Sequence, residues 1–397
     1  MTDESLFFEL KSDSAANSGF NQTLLRLIVY KLKFWGVVMK SIINIISSPK
    51  GGGAELLVRE LHKIYLGRGL DAYAIYMNGG SEGLDENETV LGVNPRNPLN
   101  VFRIRRFLKQ LLTKSSGELV VHVHLTWPFF YVTLASLGLE NIKLIYTEHS
   151  TNNKRRNIPL LWVFERMLYA RYTRIICISE GVRNALAKWV GPKITPRLVT
   201  IPNGARIYSL AKRPALTGRL PRLVSVGSLS SRKNFSTAIR AIAQLRDEVD
   251  TYTIVGDGPE RAALEQIIKN LALDDKVKLV GWSDNIESFL QAADIQLIPS
   301  LWEGFGLVAV EGMSTGLPVV ASSVDGLREV LGDSNPSVTL VEHPESVNEW
   351  VIAISKSKAN LLGQGADVLA RTSRQQAEKF TLEQMAELYL DVYLRRF

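Results

Sequence analysis

From residue 41 to residue 322, short β-branched runs alternate with stretches of helical spacing, in two successive series. Strands that alternate with helices form parallel sheets, because each helix carries the chain back to the edge from which the next strand starts, and helices then cover both faces. The first series holds SIINIIS (41–47), DAYAIYM (71–77), ELVVHVHL (118–125), IKLIYTE (142–148), RIICIS (174–179) and RLVTIPN (197–203). The second holds RLVSVGSL (222–229), TYTIVGDG (251–258), KVKLVGW (276–282), DIQLIPS (294–300) and PVVAS (318–322). Between them, residues 203–221 gather Asn203, Gly204, Pro214, Gly218 and Pro221 among polar residues and read as a linker. The chain is therefore two α/β units of similar size with no close internal repeat. TLEQMAELYLDVYLRRF (381–397) reads as an amphipathic helix with Leu382, Met385, Leu388, Tyr389, Val392 and Tyr393 on one side.

Composition narrows the classes. A chain of 397 residues with 46% hydrophobic and 22% charged side chains can bury two cores and is not a disordered protein. The lone cysteine, Cys177, excludes an intramolecular disulfide and suits a reducing, cytoplasmic setting, where it reads as a core residue. No apolar run is long enough to span a bilayer, and no Cys/His cluster has zinc spacing. The formal charge of +7 suits an anionic substrate or an anionic surface, and no nucleic-acid-binding module accompanies it, so nucleic acid is not expected as a partner. Residues 1–38 precede the first strand, and of these 1–19 are polar, without the basic start and apolar run expected of a secretory signal. Within them, QTLLRLIVYKLKFWGVV (22–38) could lie as a helix on a membrane surface with Arg26, Lys31 and Lys33 outward. Because the first strand follows Met39 so closely, the preferred reading is an extension outside the fold, or the product of an upstream start.

The segment PSLWEGFGLVAVEGMSTGLPVVAS (299–322) carries the most chemistry. A strand ends in a loop holding Glu303, Gly304, Phe305 and Gly306, and a helix starts near Leu307. The amides at a helix N-terminus are free donors and the dipole favours an anion there. The glycines let a phosphate or sugar approach the main chain, and Glu311 falls just inside the helix. Two carboxylates so placed can each accept hydroxyl pairs from one ligand. Lys233, in the SLSSRKN turn, suits phosphate. The glycines of GGGAE, Gly52 and Gly53 among them, follow the first strand, where α/β sheets bind ligands. His149 follows a strand in TEHS. His122 and His124 lie on one strand and are expected to face opposite ways, so they are not expected to act together, and His122 reads as packing.

With these motifs in hand, the chain resembles family 4 of the retaining glycosyltransferases over roughly residues 39–397. The likeness rests on GGGAE, IPNG, SLSSRKN, GDGPE, GWSDNIESFLQAADIQLIPS and the paired glutamates Glu303 and Glu311. It implies the GT-B architecture: two facing Rossmann-like parallel-sheet domains with a cleft between them. The implied division is an extension at 1–38, an acceptor-side domain at 39–205, a linker at 206–221, a nucleotide-sugar-binding domain at 222–380, and a helix at 381–397 crossing back to the first domain. Carried over residue by residue, the resemblance implies that Glu311 binds the nucleotide ribose. It implies that Glu303 lies near the donor sugar hydroxyls, and that Gly304, Phe305, Gly306 and Leu307 present backbone to sugar and diphosphate. Lys233 would pair with the diphosphate, Gly52 and Gly53 would close over the phosphates, and His149 would lie near the reacting sugar. Where the family often has Gly-Arg after the first strand of the second domain, this chain has Gly227 and Ser228, and Arg232 is the candidate replacement. Gly312 stands where alanine is usual.

The implied reaction is retaining transfer from a nucleotide-diphosphate sugar to a glycan or lipid-linked acceptor in bacterial surface polysaccharide or lipopolysaccharide assembly. No cofactor is expected and, with no Asp-x-Asp motif in the chain, no metal. Two basic aromatic stretches, 101–112 and 152–174 with Trp162, Phe164 and Tyr169, suit peripheral contact with the anionic inner face of the cell membrane. A non-catalytic subunit of the same fold and a nucleotide-sugar isomerase stay open as alternatives.

Overall fold

The computed structural model describes residues 41–394 apart from loop positions 86, 93, 95, 116, 152, 159 and 333. The extension at 1–38, including the amphipathic stretch 22–38, lies outside the described residues. The first series forms β1 (Ile42–Ile46), β2 (Ala72–Tyr76), β3 (Glu88–Val90), β4 (Leu119–His124), β5 (Ile142–Glu148), β6 (Arg174–Cys177) and β7 (Leu198–Thr200). The second forms β8 (Arg222–Val226), β9 (Thr251–Val255), β10 (Val277–Gly281), β11 (Ile295–Ile298), β12 (Val319–Ser322) and β13 (Val338–Val341). They build two wholly parallel sheets, ordered β3-β2-β1-β4-β5-β6-β7 and β10-β9-β8-β11-β12-β13. The strands β3 and β13, each at or near a sheet edge, extend the two series read from sequence.

Every residue of β1 and of β4 is buried, which is why both read as largely apolar runs, interrupted by Asn44 and by His122 and His124, with no polar residues set aside for solvent. Each buried Ile or Val contributes about 1.5–3 kcal/mol relative to exposure. In both sheets the strand order reverses direction at one place, between β1 and β4 and between β8 and β11. Crevices for ligands open at the carboxyl ends of strands at such switch points. The loops that follow β1, β8 and β11 are the glycine-bearing 51–53, 227–230 and 300–306 segments.

The chain passes between the two halves twice, and the two passages lie side by side. Ala205 N–H donates to the Phe380 carbonyl at 2.9 Å, and Ala205 bridges Thr381 in parallel. A Cβ on Gly204 would collide with the Thr381 carbonyl oxygen, so this crossing is open only to glycine. Beyond it, the helix Leu382–Leu394 lies on the first sheet, packing Met385, Ala386, Tyr389, Val392 and Tyr393 against Ile42, Val120, Ile145 and Ile176. Lys143, buried on β5, donates from Nζ to the carbonyls of Val392 (2.9 Å) and Tyr393 (3.0 Å) and so satisfies the orphan end of that helix. Leu388, expected on the apolar side, is exposed instead. The segment between the sheets is irregular but not loose: the guanidinium of Arg213 donates to the carbonyls of Ala293, Leu290 and Thr315, all in the second half.

Candidate active site

A cleft of about 470 Å³ lies between the carboxyl ends of the two sheets. Gly52, Gly53, His149, Arg232, Lys233, Glu303, Gly304, Phe305, Gly306, Leu307 and Glu311 all line it.

Two helix N-termini face this space. The helix Gly53–Gly67 begins at Gly52 and the helix Leu307–Ser314 begins at Gly306, and neither has a capping side chain. Gly306 has φ 98°, a left-handed conformation that glycine adopts without strain. The free amides of both first turns, with the positive ends of both dipoles, make the cleft a place for anionic groups. The two halves approach each other so closely here that side chains are excluded. A Cβ on Gly304 would stand 2.5 Å from the His149 carbonyl oxygen, and one on Gly53 would stand 2.9 Å from Leu307 Cδ1. Phe305 contributes main chain only; its ring is buried against Phe380 at 5.5 Å between centroids.

Lys233 closes a short 3-10 turn, Ser231–Lys233, whose exit residue Asn234 takes a left-handed φ of 51° to start the next helix. The turn is tied to the glutamate loop by Leu301 N–H donating to the Arg232 carbonyl at 2.8 Å. The glutamate itself is buried. Glu303 pairs its Oε1 with Lys233 Nζ and accepts from Ser300 Oγ at 3.0 Å, while Oε2 lies 3.5 Å from Arg232. Burial alone would raise its pKa, but the neighbouring cations of Lys233 and Arg232 and these hydrogen bonds outweigh it and hold the carboxyl below its usual range. Arg232 therefore points to the same pocket as Lys233, and Ser228 lines the wall beside them.

Glu311 is in the opposite condition. Burial, partly offset by the charge of Arg206, pushes its pKa up to about 7. His149 is pushed down to about 4 by burial and stands as a neutral imidazole near pH 7.

Two expectations from the sequence are corrected. His122 and His124 do not face opposite ways: their rings are 4.1 Å apart, and His124 Nδ1 lies 3.2 Å from His149 Nε2. Side chains two apart on a strand share a face, so the period of the strand itself required this outcome. The cation-rich stretch 152–174 is only partly a surface. Tyr169 is fully buried, and Arg155 is a core residue that donates to the Tyr169 hydroxyl at 2.9 Å and is ion-paired with Glu165 at 2.8 Å. Trp162, Phe164 and Met167 do remain exposed. Cys177 is buried, and burial raises its thiol pKa.

Arg206 and Trp282 are among the lining residues that sequence reasoning missed. Arg206, placed in the linker by that reading, pairs with Glu60 at 3.0 Å across the cleft wall and reaches the field of Glu311. Trp282 stands 72% exposed at the end of β10 and borders the cleft. An aromatic directly after a strand-ending glycine, at the carboxyl end of a parallel strand, was the signal that could have found it.

A second contact joins the halves beyond the cleft. Glu329 accepts the N–H of Glu180 at 2.7 Å and of Gly181 at 2.8 Å, placing a carboxylate from the second half on the N-terminus of the helix Glu180–Val190 in the first. Among the described residues, no group of three His, Cys, Asp or Glu side chains could hold a metal ion, and no helix is long and apolar enough to cross a membrane.

Comparison with known proteins matches both halves. Residues 51–207 fit the model of Glycosyltransferase Family 4, and residues 210–364 fit that of Glycosyl transferases group 1. The chain is 26% identical to N-acetyl-alpha-D-glucosaminyl L-malate synthase of Bacillus anthracis, over 74% of this chain and 81% of that one. It is 30% identical to 2-deoxystreptamine glucosyltransferase of Streptomyces kanamyceticus, over 63% of this chain and 67% of that one. Among solved structures, the Anabaena protein HepE in complex with UDP and glucose superposes with a TM-score of 0.73 at 21% identity, covering 89% of this chain and 99% of that one.

Proposed function

The chain belongs to the family 4 glycosyltransferases and has their GT-B architecture, and from that premise we propose that it transfers a sugar from a nucleoside-diphosphate sugar to a glycan or lipid-linked acceptor, with retention of anomeric configuration and without a metal ion. The observation that carries this reading is the cluster of Lys233, Arg232 and Glu303 beside the uncapped start of the helix Leu307–Ser314. As the glycosidic bond breaks, negative charge grows on the leaving diphosphate. Lys233, Arg232 and the free amides of the two facing helices supply preorganised positive charge for it. Arg232 takes the part that Ser228 cannot.

Glu303, kept ionised, accepts hydroxyls of the donor sugar and is not assigned as a covalent nucleophile, since its Oε1 is already held by Lys233 and Ser300. Glu311 accepts the ribose hydroxyls. His149 meets the sugar from the first half. The acceptor hydroxyl attacks from the side the diphosphate leaves, and its proton passes to the departing phosphate oxygen. The C–O bond to the leaving group breaks as the new C–O bond forms on the same face. Glu329 on the helix Glu180–Val190 favours the closed arrangement, which excludes water and limits hydrolysis of the donor.

The acceptor side favours a lipid surface. Phe102 is 70% exposed on the basic helix Asn100–Lys114, and Trp162, Phe164 and Met167 are exposed on the helix Leu161–Tyr169, with Arg166 stacked over Trp162 at 4.4 Å. Phe130, on the helix Thr126–Ala135, stacks on Phe164. Apolar rings beside cations suit the anionic inner face of a cell membrane, where surface polysaccharide or lipopolysaccharide precursors are built on lipid carriers.

The test is incubation with a panel of nucleotide sugars and lipid-linked acceptors, with and without EDTA, with the anomer of the product read by NMR. Transfer that survives EDTA and retains configuration supports the proposal. Inversion, or loss of turnover on chelation restored by a divalent ion, refutes it. Donor turnover that needs no acceptor and leaves an isomer of the donor would favour an isomerase.

A further inference from the structure

We propose that His124 is a positioning residue for His149, holding its imidazole in the tautomer that keeps a proton on Nδ1 for a ligand in the cleft. This rests on the reading of the cleft as a sugar-donor site, but its geometry stands independently of the reaction.

The strands β4 and β5 run side by side in parallel, with His124 opposite Thr147. His149 lies two residues beyond Thr147, so its ring comes to the same face as His124, and the 3.2 Å contact between His124 Nδ1 and His149 Nε2 follows. His124 has little room to turn away. Its ring packs on that of His122 at 4.1 Å, and His122 is fixed at both nitrogens, by the Tyr393 hydroxyl at 2.6 Å and by Thr147 Oγ1 at 2.6 Å. The row therefore runs from the last helix of the chain, through two buried histidines, to the one histidine that opens on the cleft.

Burial and mutual repulsion keep His122 and His124 far below their usual pKa, and burial does the same for His149. Each ring is neutral near pH 7 and carries one N–H. The contact between His124 and His149 then has a single proton, which belongs to one ring or the other. His124 Nε2 is fully buried and has no hydrogen-bond partner among the described residues. A buried N–H without an acceptor is the rarer and costlier state, whereas a bare nitrogen is better tolerated. His124 accordingly carries its proton on Nδ1 and donates it to His149 Nε2. His149, with Nε2 occupied as an acceptor, keeps its own proton on Nδ1. The hydrogen bond made by one ring nitrogen sets what the other can do. The ring that meets the ligand is thus a donor, suited to a sugar oxygen, and its character is set from behind by a residue that does not line the cleft.

The experiment uses the full chain labelled with 15N-histidine and long-range 1H–15N correlation spectra, assigned with single histidine substitutions. In the wild type, His149 should show the Nδ1–H pattern. His124→Asn places an amide donor where Nδ1 stood, and it should keep that pattern. His124→Leu removes the donor, and the His149 signals should move to the Nε2–H pattern or to an exchanging average. With a working donor, His124→Leu should lower kcat about tenfold with a donor KM within about threefold of wild type, and His124→Asn should restore kcat. An Nε2–H pattern for His149 in the wild type overturns the proposal, as does a pattern unmoved by His124→Leu. If His124→Leu does not fold, the wild-type and His124→Asn spectra still decide it. A protein that turns over no nucleotide sugar but shows the expected tautomers would refute the proposed function and leave this inference standing.

Discussion

Between pH 8 and pH 6 the affinity for a nucleotide sugar should fall because of one side chain, Glu311. Burial raises its pKa to about 7, so it is about nine-tenths ionised at pH 8 and about one-tenth ionised at pH 6. Only the ionised carboxylate can accept two ribose hydroxyls at once. The expected loss is therefore roughly tenfold in affinity, about 1.4 kcal/mol. Neither Glu303 nor His149 titrates in that window: Glu303 is held below its usual range and His149 lies near 4. A nucleotide sugar is the right probe, because the terminal phosphate of a free nucleoside diphosphate ionises near pH 6 and would add its own slope. Isothermal calorimetry in buffers of different ionisation enthalpy should show about half a proton released per donor bound at pH 7. Glu311→Gln should bind more weakly at pH 8 and show no slope. The sign for folding is the reverse. A carboxyl whose folded pKa exceeds its unfolded value holds more protons in the native state between about 4.5 and 7, so stability falls as pH rises through that range. Glu311→Gln should consequently raise Tm more at pH 8 than at pH 5. A flat wild-type affinity between pH 6 and 8, or a slope that persists in Glu311→Gln, would refute the assignment.

Three further outcomes are expected. Lys233→Ala should weaken donor binding by more than tenfold and also lower Tm, because it strips the buried Glu303 of its closest cation; the double variant Lys233→Ala/Glu303→Gln should recover Tm but not binding, a cycle measured by thermal melts and calorimetry. Glu329→Ala should widen the average separation of the two halves in small-angle scattering and raise the donor KM a few fold, with kcat at saturation nearly unchanged; identical scattering would show that the contact does not hold the closed form. Gly304→Ala forces a methyl to within 2.5 Å of the His149 carbonyl and should cut turnover about a hundredfold while Tm moves little, since the loop can yield only by opening the cleft.

What the sequence disclosed, and what it hid, follows from the range of each interaction. Fully buried strands such as β1 and β4 announce themselves as apolar runs, and the loop from Glu303 to Gly306 declares an uncapped helix start by its glycines. The placement of Lys233 at the cleft was legible because it depends on a local turn, Ser231–Lys233. The strands β3 and β13, three and four residues long, carry too short a pattern to separate from loops. Arg206 was hidden because its partners are distant in sequence: Glu60 is 146 residues away, and only the fold brings them together. Tyr169 and Arg155 were misread for the same reason, since a cation and an aromatic ring look like surface until the buried Glu148 and Glu165 that satisfy them are placed nearby. The shared face of His122 and His124 was available from strand geometry alone.

The paired passage of the chain at Gly204–Ala205 and Phe380–Thr381 also limits how the enzyme can move. Two straps lying in register along one line allow the lobes to swing about that line but resist sliding and twisting past each other. Opening must then follow an arc, widest at the far rim and smallest beside the strap, where Arg206 and Glu60 stay within reach. A single cut at Phe380–Thr381 would change the path of that swing, and neither of these residues lines the cleft.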